Sequence, residues 1–250
     1  MDEPKRRRLD RQALVSQMLD GLAEVPNVYL PAEHPLYAKD QITTYPFNPP
    51  QGQALLKEAG WVDRDGDGIL EKDGRKLSLD YVSGPPDDAF QAKLTQLVQS
   101  QLRANCGIDL QIRLLAPEVL TENWPKGVLF GRRFDVGEFP WRTGIEPPCD
   151  LYVSDAIAST DQNPGGANDT GYSNPAFDRA CHAALTALDQ ATRQAMHAQA
   201  EAIFSQDLPS LPLFFRVRAG AARPNVQGYR LDSTAQSDLW NIEEMDVAGP

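Results

Sequence analysis

At 250 residues, with 41% hydrophobic and 8% aromatic content, the chain carries enough apolar side chain to bury a sizeable core. Its formal net charge of −11 repels phosphate backbones and anionic membrane surfaces, so nucleic acid is excluded as an expected partner. No apolar run reaches the roughly 18 residues that cross a bilayer, and no apolar stretch of secretion-signal type opens the chain, so no membrane insertion is expected.

The elements follow in order. Lys5-Arg6-Arg7-Arg8 reads as the solvated face at the start of a helix on which Leu9, Leu14, Val15, Met18 and Leu19 recur, with Gly21 as the stop. Residues 22–50 form an irregular connection, because six prolines between Val25 and Pro50 deny it regular structure. Asn48 caps a short helix that has Pro49 in its first turn and Gly60 just past its end. Leu77, Leu79 and Tyr81 alternate as in a strand. Phe90, Leu94, Leu97, Val98 and Leu102 then mark a helix closed by Gly107, and Ile108, Leu110, Ile112 and Leu114 mark a second strand. Strand, helix and strand in that order predict two parallel strands joined by a right-handed crossover.

The second half has longer loops. The stretch "RFDVGEFPW" predicts a third strand that empties into a loop around Trp141, followed by a short helix near Asp150 to Ala158 and the loop "TDQNPGGANDTGYSNP". Two helices are expected next, one carrying Phe177, Ala180, Cys181, Ala184 and Leu185, the other Met196, Ala200, Ile203 and Phe204. The stretch "LPLFFRVRAG" predicts a strand buried on both faces, and residues 225–250 a tail of mostly loop. With no internal repeat and no linker, residues 1–250 form a single α/β domain.

Chemical motifs are sparse. In "DRDGDGILEKDG", Asp63, Asp65 and Asp67 stand at positions 1, 3 and 5 of a calcium loop, with Gly68 at the sharp turn. Gly74, however, stands at position 12, where a bidentate Glu closes the shell. The same stretch places Asp73-Gly74 between two short runs as in a type I′ hairpin, whose acids cap turns and face water. That is the favoured expectation, and a calcium-binding structural module built on Asp63, Asp65 and Asp67 is the alternative. His34, His182 and His197 lack partners at metal spacing, and the latter two fall on helices. Asp87 and Asp88 read as a helix cap and its dipole partner. No nucleophile elbow, phosphate loop or dinucleotide fingerprint occurs, so a hydrolase using scattered carboxylates has no positive support. Cys106, Cys149 and Cys181 are too few and too scattered for a disulfide framework and leave the compartment open.

Several stretches carry a family likeness. "ALLKEAGWVDRDGDGILEKDGRKLSLDY", "FDVGEFPWRTG", "GYSNPAFDRACHAAL", "AIFSQDLPSLPLF" and "NVQGYRL", in this order, resemble the C-terminal half of extracellular solute-binding proteins of family 5, the oligopeptide, dipeptide and nickel receptors of ABC importers. "LDRQALVSQMLDGLAEV" and "LPAEHPLYA" resemble the segment leading into the second lobe. The resemblance implies an α/β, type II periplasmic-binding-protein-like C-terminal lobe, with a mixed, mostly parallel sheet flanked by helices. It also implies an N-terminal lobe missing from this chain, an ABC transporter permease as partner of the whole receptor, and an extracytoplasmic location in the periplasm or on the cell surface. Two lobes would close on a peptide or related small solute by hinge motion, transforming nothing. Phe139, Trp141 and Arg142 would face the cleft. Family members that take peptides carry an acid shortly after that Trp; here Glu146 is the nearest, Asp150 the next, and Cys149 stands about where an Asp is expected. Asn168 and Tyr172 match positions that approach the cleft. No cofactor is implied.

Overall fold

The computed structural model describes residues 9–141, 144–159, 163–232, 235 and 237–248. Its first half is built as the periodicity predicts. Helix α1 (Arg11–Leu19) starts at Asp10, whose carboxylate accepts the Ala13 N–H at 2.9 Å, and ends at Asp20 and Gly21, both at positive φ. Helix α2 (Pro49–Glu58) is capped by Asn48, and Trp61 N–H returns to the Leu56 carbonyl at 2.9 Å to close it. A hairpin of β1 (Glu71–Lys72) and β2 (Arg75–Lys76) turns on Asp73 and Gly74, with φ of 51° and 73°. Two successive left-handed residues define the type I′ turn.

The central sheet has three parallel strands in the order β4-β3-β5. Strand β3 (Ser78–Ser83) runs through helix α3 (Ala89–Cys106) into β4 (Asp109–Leu114), and Tyr81 stands opposite Ile112 on one side and Val136 on the other. Only Val136–Gly137 form β5, although Asp135 and Glu138 extend the ladder by donating to the Asp80 and Val82 carbonyls at 3.1 and 2.9 Å. Side chains alternate across the sheet as the pleat requires. Leu79 and Tyr81 join Leu94, Val98 and Leu110 against α3, whereas Val82 turns to the other face, toward Leu120 of the short helix α4 (Pro117–Leu120), Val128 and Leu129.

A second apolar cluster lies between helices α5 (Pro175–Thr186) and α6 (Gln190–Asp207), where Phe177 and Phe204 meet Tyr29, Tyr152 and Val153. It meets the sheet cluster at Leu211, which packs against both. The proline-rich connection wraps this half and has only a single 3-10 turn, Lys39–Gln41, between α1 and α2. A polar stripe on α6 satisfies its backbone: Glu201 Oε2 accepts the Ala38 N–H at 3.1 Å and Ser205 Oγ accepts the Thr43 N–H at 2.9 Å. His197, Glu201 and Ser205 stand four residues apart, so they share one helix face, and all three are fully buried.

Three expectations are corrected. Residues 211–220 form no strand; Pro212 withholds a ladder donor, and Leu211, Leu213 and Phe214 are only half-buried against the sheet cluster. The helix expected from Asp150 to Ala158 is two 3-10 turns, Cys149–Tyr152 and Ser154–Ala156, separated by an extended Val153. Asp178 of α5 captures Ser154 there, accepting its N–H at 3.0 Å and its hydroxyl at 2.6 Å. Third, Cys149 and Cys181 form a disulfide across 32 residues, tying the chain after Trp141 to α5. The tail is mostly loop as expected, apart from the paired β6 (Val226–Gln227) and β7 (Asp246–Val247) and one 3-10 turn, Ile242–Glu244.

Two outcomes are expected. Replacing Cys149 and Cys181 together by Ala releases a long loop in the unfolded chain and lowers stability by about 3 kcal/mol, read by urea unfolding. Burial pushes the Glu201 carboxyl up to about 7, against an ordinary value of 4.5, and the Ala38 N–H offsets little of that. The folded protein thus keeps a proton that the unfolded chain gives up, so this contribution is complete below about 4.5 and is lost as pH rises through about 7. Burial lowers the neighbouring His197, which acts oppositely and only as pH falls. The Glu201 contribution to the melting temperature should therefore fall between about pH 4.5 and about pH 7, and Glu201→Gln should flatten that slope.

Candidate functional site

Three parallel strands leave their carboxyl ends on one side of the sheet, the place where open α/β sheets bind ligands. The chain leaves β5 there through Glu138, Phe139, Pro140 and Trp141. Phe139 packs on the Val82 face of the sheet and meets the Trp141 ring edge-on, with centroids 5.6 Å apart and planes at 78°. Trp141 is 44% exposed, so its indole face is available to a ligand.

On the opposite, α3 face of the strand ends lies a polar network gathered from four segments. Glu138 accepts from the Tyr81 hydroxyl of β3 through one carboxylate oxygen and from the Gln91 amide of α3 through the other. The same amide nitrogen donates to Ser83 Oγ at 2.9 Å, and Gln91 Oε1 accepts from Arg216 Nη2 at 3.2 Å. Asp88 caps α3 by accepting the Gln91 N–H at 3.0 Å, which fixes Gln91 in the first turn. The Arg216 guanidinium rests 5.3 Å from the centroid of the Phe90 ring, within cation–π range. Burial raises the Glu138 carboxyl to about 7, against the Tyr81 hydrogen bond and the Arg216 charge, which pull it down. Gln91 and Arg216 carried no motif. The nearest signal was the placement of Glu138 within the stretch predicted as the third strand.

Of the residues singled out from sequence, Phe139 and Trp141 come together at the strand ends, and Arg142 lies outside the described residues. Glu146 is turned to α6, where it forms an ion pair with Arg193 and stands 3.3 Å from His197 Nε2. Asn168 is buried and staples its own loop, donating to the Val153 and Tyr172 carbonyls at 2.9 and 2.8 Å and accepting the Tyr172 N–H at 3.2 Å. Tyr172 donates its hydroxyl to Asp207 at 2.5 Å and meets the Phe177 ring edge-on. Both are engaged in holding the α5–α6 half.

Asp63, Asp65 and Asp67 converge on an exposed turn, with one carboxylate oxygen from each within 4.8 Å of the others. Each also caps local backbone. Asp63 accepts the Gly66 and Gly68 N–H groups at 2.7 and 3.0 Å, Asp65 accepts the Asp67 N–H at 3.3 Å, and Asp67 accepts the Ile69 N–H at 2.9 Å. Lys76 of the β2 hairpin strand reaches into the cluster, with its ammonium 2.9 Å from Asp65 and in contact with Asp67. A cation of the protein's own thus pairs with two of the three acids.

The parallel sheet, its aromatic lip and the two-helix layer define a lobe of the type II periplasmic-binding-protein class. A model of the bacterial extracellular solute-binding proteins, family 5 middle, matches residues 8–159, and the chain belongs to that family. The oligopeptide-binding protein AppA of Bacillus subtilis is 30% identical over 250 residues, covering 96% of this chain and 42% of AppA. The structure of B. subtilis AppA in complex with a nonapeptide superposes with a TM-score of 0.76 at 26% identity, covering 98% of this chain and 47% of that one. The oligopeptide-binding protein of Thermus thermophilus complexed with a pentapeptide gives 0.71 at 26% identity, covering 85% of this chain and 37% of that one. The chain therefore spans less than half the length of these relatives.

Because Lys76 already pairs with Asp65 and Asp67, replacing Asp63, Asp65 and Asp67 by Asn is expected to leave the melting temperature alike in calcium and in chelator. A melting point that rises with calcium and loses that response in the triple variant would establish a cation site instead.

Proposed function

We propose that this chain is one ligand-gripping lobe of a two-lobed receptor that takes peptides or related small solutes to an ABC importer, outside the cytoplasm. The observation that carries the reading is the exposed Trp141 face set against Phe139 at the carboxyl ends of the parallel strands. Membership of family 5 and the peptide complexes of AppA and the Thermus protein support it. The Cys149–Cys181 bridge supports an oxidising compartment, since such bonds persist outside the reducing cytosol. No described helix is long and apolar enough to cross a membrane.

Such a site holds its ligand without transforming it. Aromatic area shields one side of an extended solute, and a second lobe would close over the exposed side. The acidic turn belongs, in this reading, to the scaffold, pinned by Lys76. One lobe supplies one wall, while the ligand still loses nearly all its freedom on binding, so affinity for this chain alone is expected at about millimolar strength. The test is an NMR titration of the chain with trialanine. Shifts confined to the surroundings of Phe139 and Trp141, with Trp141→Ala weakening binding about tenfold, are the expected result. Micromolar binding by this chain, or binding that survives Trp141→Ala, would place the site elsewhere.

A further inference from the structure

Three basic side chains hold the loop after Trp141 at Ile145 and Glu146. His34 of the connection donates from Nε2 to the Ile145 carbonyl at 2.9 Å. Arg193 of α6 contacts one carboxylate oxygen of Glu146, and His197 of α6 stands with Nε2 3.3 Å from the other. The three differ in their surroundings. Arg193 and His34 are half-buried, and the second ring nitrogen of His34 accepts the Leu36 N–H at 3.2 Å. His197 is fully buried, and its Nδ1 has no hydrogen-bond partner among the described residues.

Charge decides what a proton on His197 does here. Arg193 already pairs with Glu146, so an imidazolium would be a second cation sharing one carboxylate, and the exposure of Glu146 to water weakens its pull. Glu201, four residues further along α6 and equally buried, gives no help. Burial holds its carboxyl up to about 7, so at mildly acidic pH it is neutral and supplies no counter-charge. Burial accordingly lowers His197 below its ordinary value of 6.5, against the pull of Glu146, while Arg193 and His34 add to the lowering. A proton therefore binds more readily to a state in which Glu146 has left the helix and the imidazole is hydrated. The hold on Glu146 is complete above about pH 6.5 and is lost as pH falls below it. Cys149 remains bonded to Cys181, so the movement is confined to the stretch ahead of it, toward Trp141. On the proposed reading that this is a solute-binding lobe, we propose that His197 is a proton-operated release for that stretch. Neutral, it leaves Glu146 closed on α6 and the Trp141 wall firm; protonated, it drives the loop off the helix and loosens the grip on solute in acidic surroundings.

The experiment titrates the 250-residue chain by NMR from about pH 8 to about pH 5, following the His197 ring, the Ile145 and Glu146 amides and the Trp141 indole N–H. All of these signals should change together, with one midpoint below about 6.5. In His197→Gln, which keeps a neutral hydrogen-bonding group, the loop signals should hold their neutral-pH positions throughout, with a cooperative melt showing that the variant is folded. The ring is also read in the parent chain, where protonation of His197 with no change at Ile145 and Glu146 would overturn the inference. So would a loop change that persists in His197→Gln and disappears in His34→Gln or in Glu138→Gln. Those variants would place the release at His34, or at the Glu138 carboxyl, raised to about 7 at the loop's other end. Trialanine, whose termini largely keep their charges between about pH 7 and about pH 5.5, should bind about tenfold more weakly at the lower pH, and equally at both in His197→Gln. Equal affinity at both pH values in the parent would overturn the proposed release and leave the solute-binding reading intact. Absence of trialanine binding at either pH, with the loop still following the His197 ring, would remove that reading instead and establish the proton-driven movement.

Discussion

Buried backbone must be hydrogen-bonded, and in this chain most of the backbone lies outside any sheet. Among the described residues the longest strands have six residues, and the connection between α1 and α2 has no ladder of its own. The rest of the structure depends on side chains that take the place of a sheet. The α6 stripe of Glu201 and Ser205 holds the connection at Ala38 and Thr43. Asn168 does the same inside the 163–172 loop, and Asp178 for Ser154. An unpaired carbonyl or N–H in any of these places would cost about as much as a hydrogen bond is worth, so these polar residues are as structural as the leucines. The cost of the arrangement is visible at Glu201, whose second oxygen is buried without a partner and whose carboxyl is raised accordingly.

What could be read from sequence was what local physics decides. Alternation in β3 and β4, the helical spacing of α3, and caps at Asn48 and Asp88 each depend on a few adjacent residues. The Asp73-Gly74 turn is of the same kind. The "LPLFF" stretch misled because apolar content was weighed above Pro212; a run can be apolar because it packs on a core without joining a ladder. The disulfide was missed since its halves stand 32 residues apart and only the fold brings their Cα atoms to 5.7 Å.

The site was half legible for the same reason. Phe139 and Trp141 are near in sequence and remain near in space. Tyr81, Ser83, Gln91, Glu138 and Arg216 come from segments separated by up to 125 residues between bonded partners, and each alone has an ordinary explanation as a strand, cap or loop residue. Glu146 shows the converse. Its position after Trp141 suggested a ligand contact, whereas Arg193 and His197 on α6 give it a partner that sequence distance concealed.

These fixtures combine into a property of the loop between them. At its start, Glu138 is locked to Tyr81 and Gln91; at its far end Glu146 is locked to α6 and Cys149 is bonded to α5. The segment carrying Trp141 is thus tethered to the sheet on one side and to the helical layer on the other, and Leu211 packs against both of those bodies. A wall against which a ligand is gripped has to keep its shape, since any freedom it loses on closure is subtracted from affinity. Tethering both ends while leaving the indole exposed meets that requirement with local bonds alone. Glu146, the first acid after Trp141 in sequence, thus serves to hold the loop.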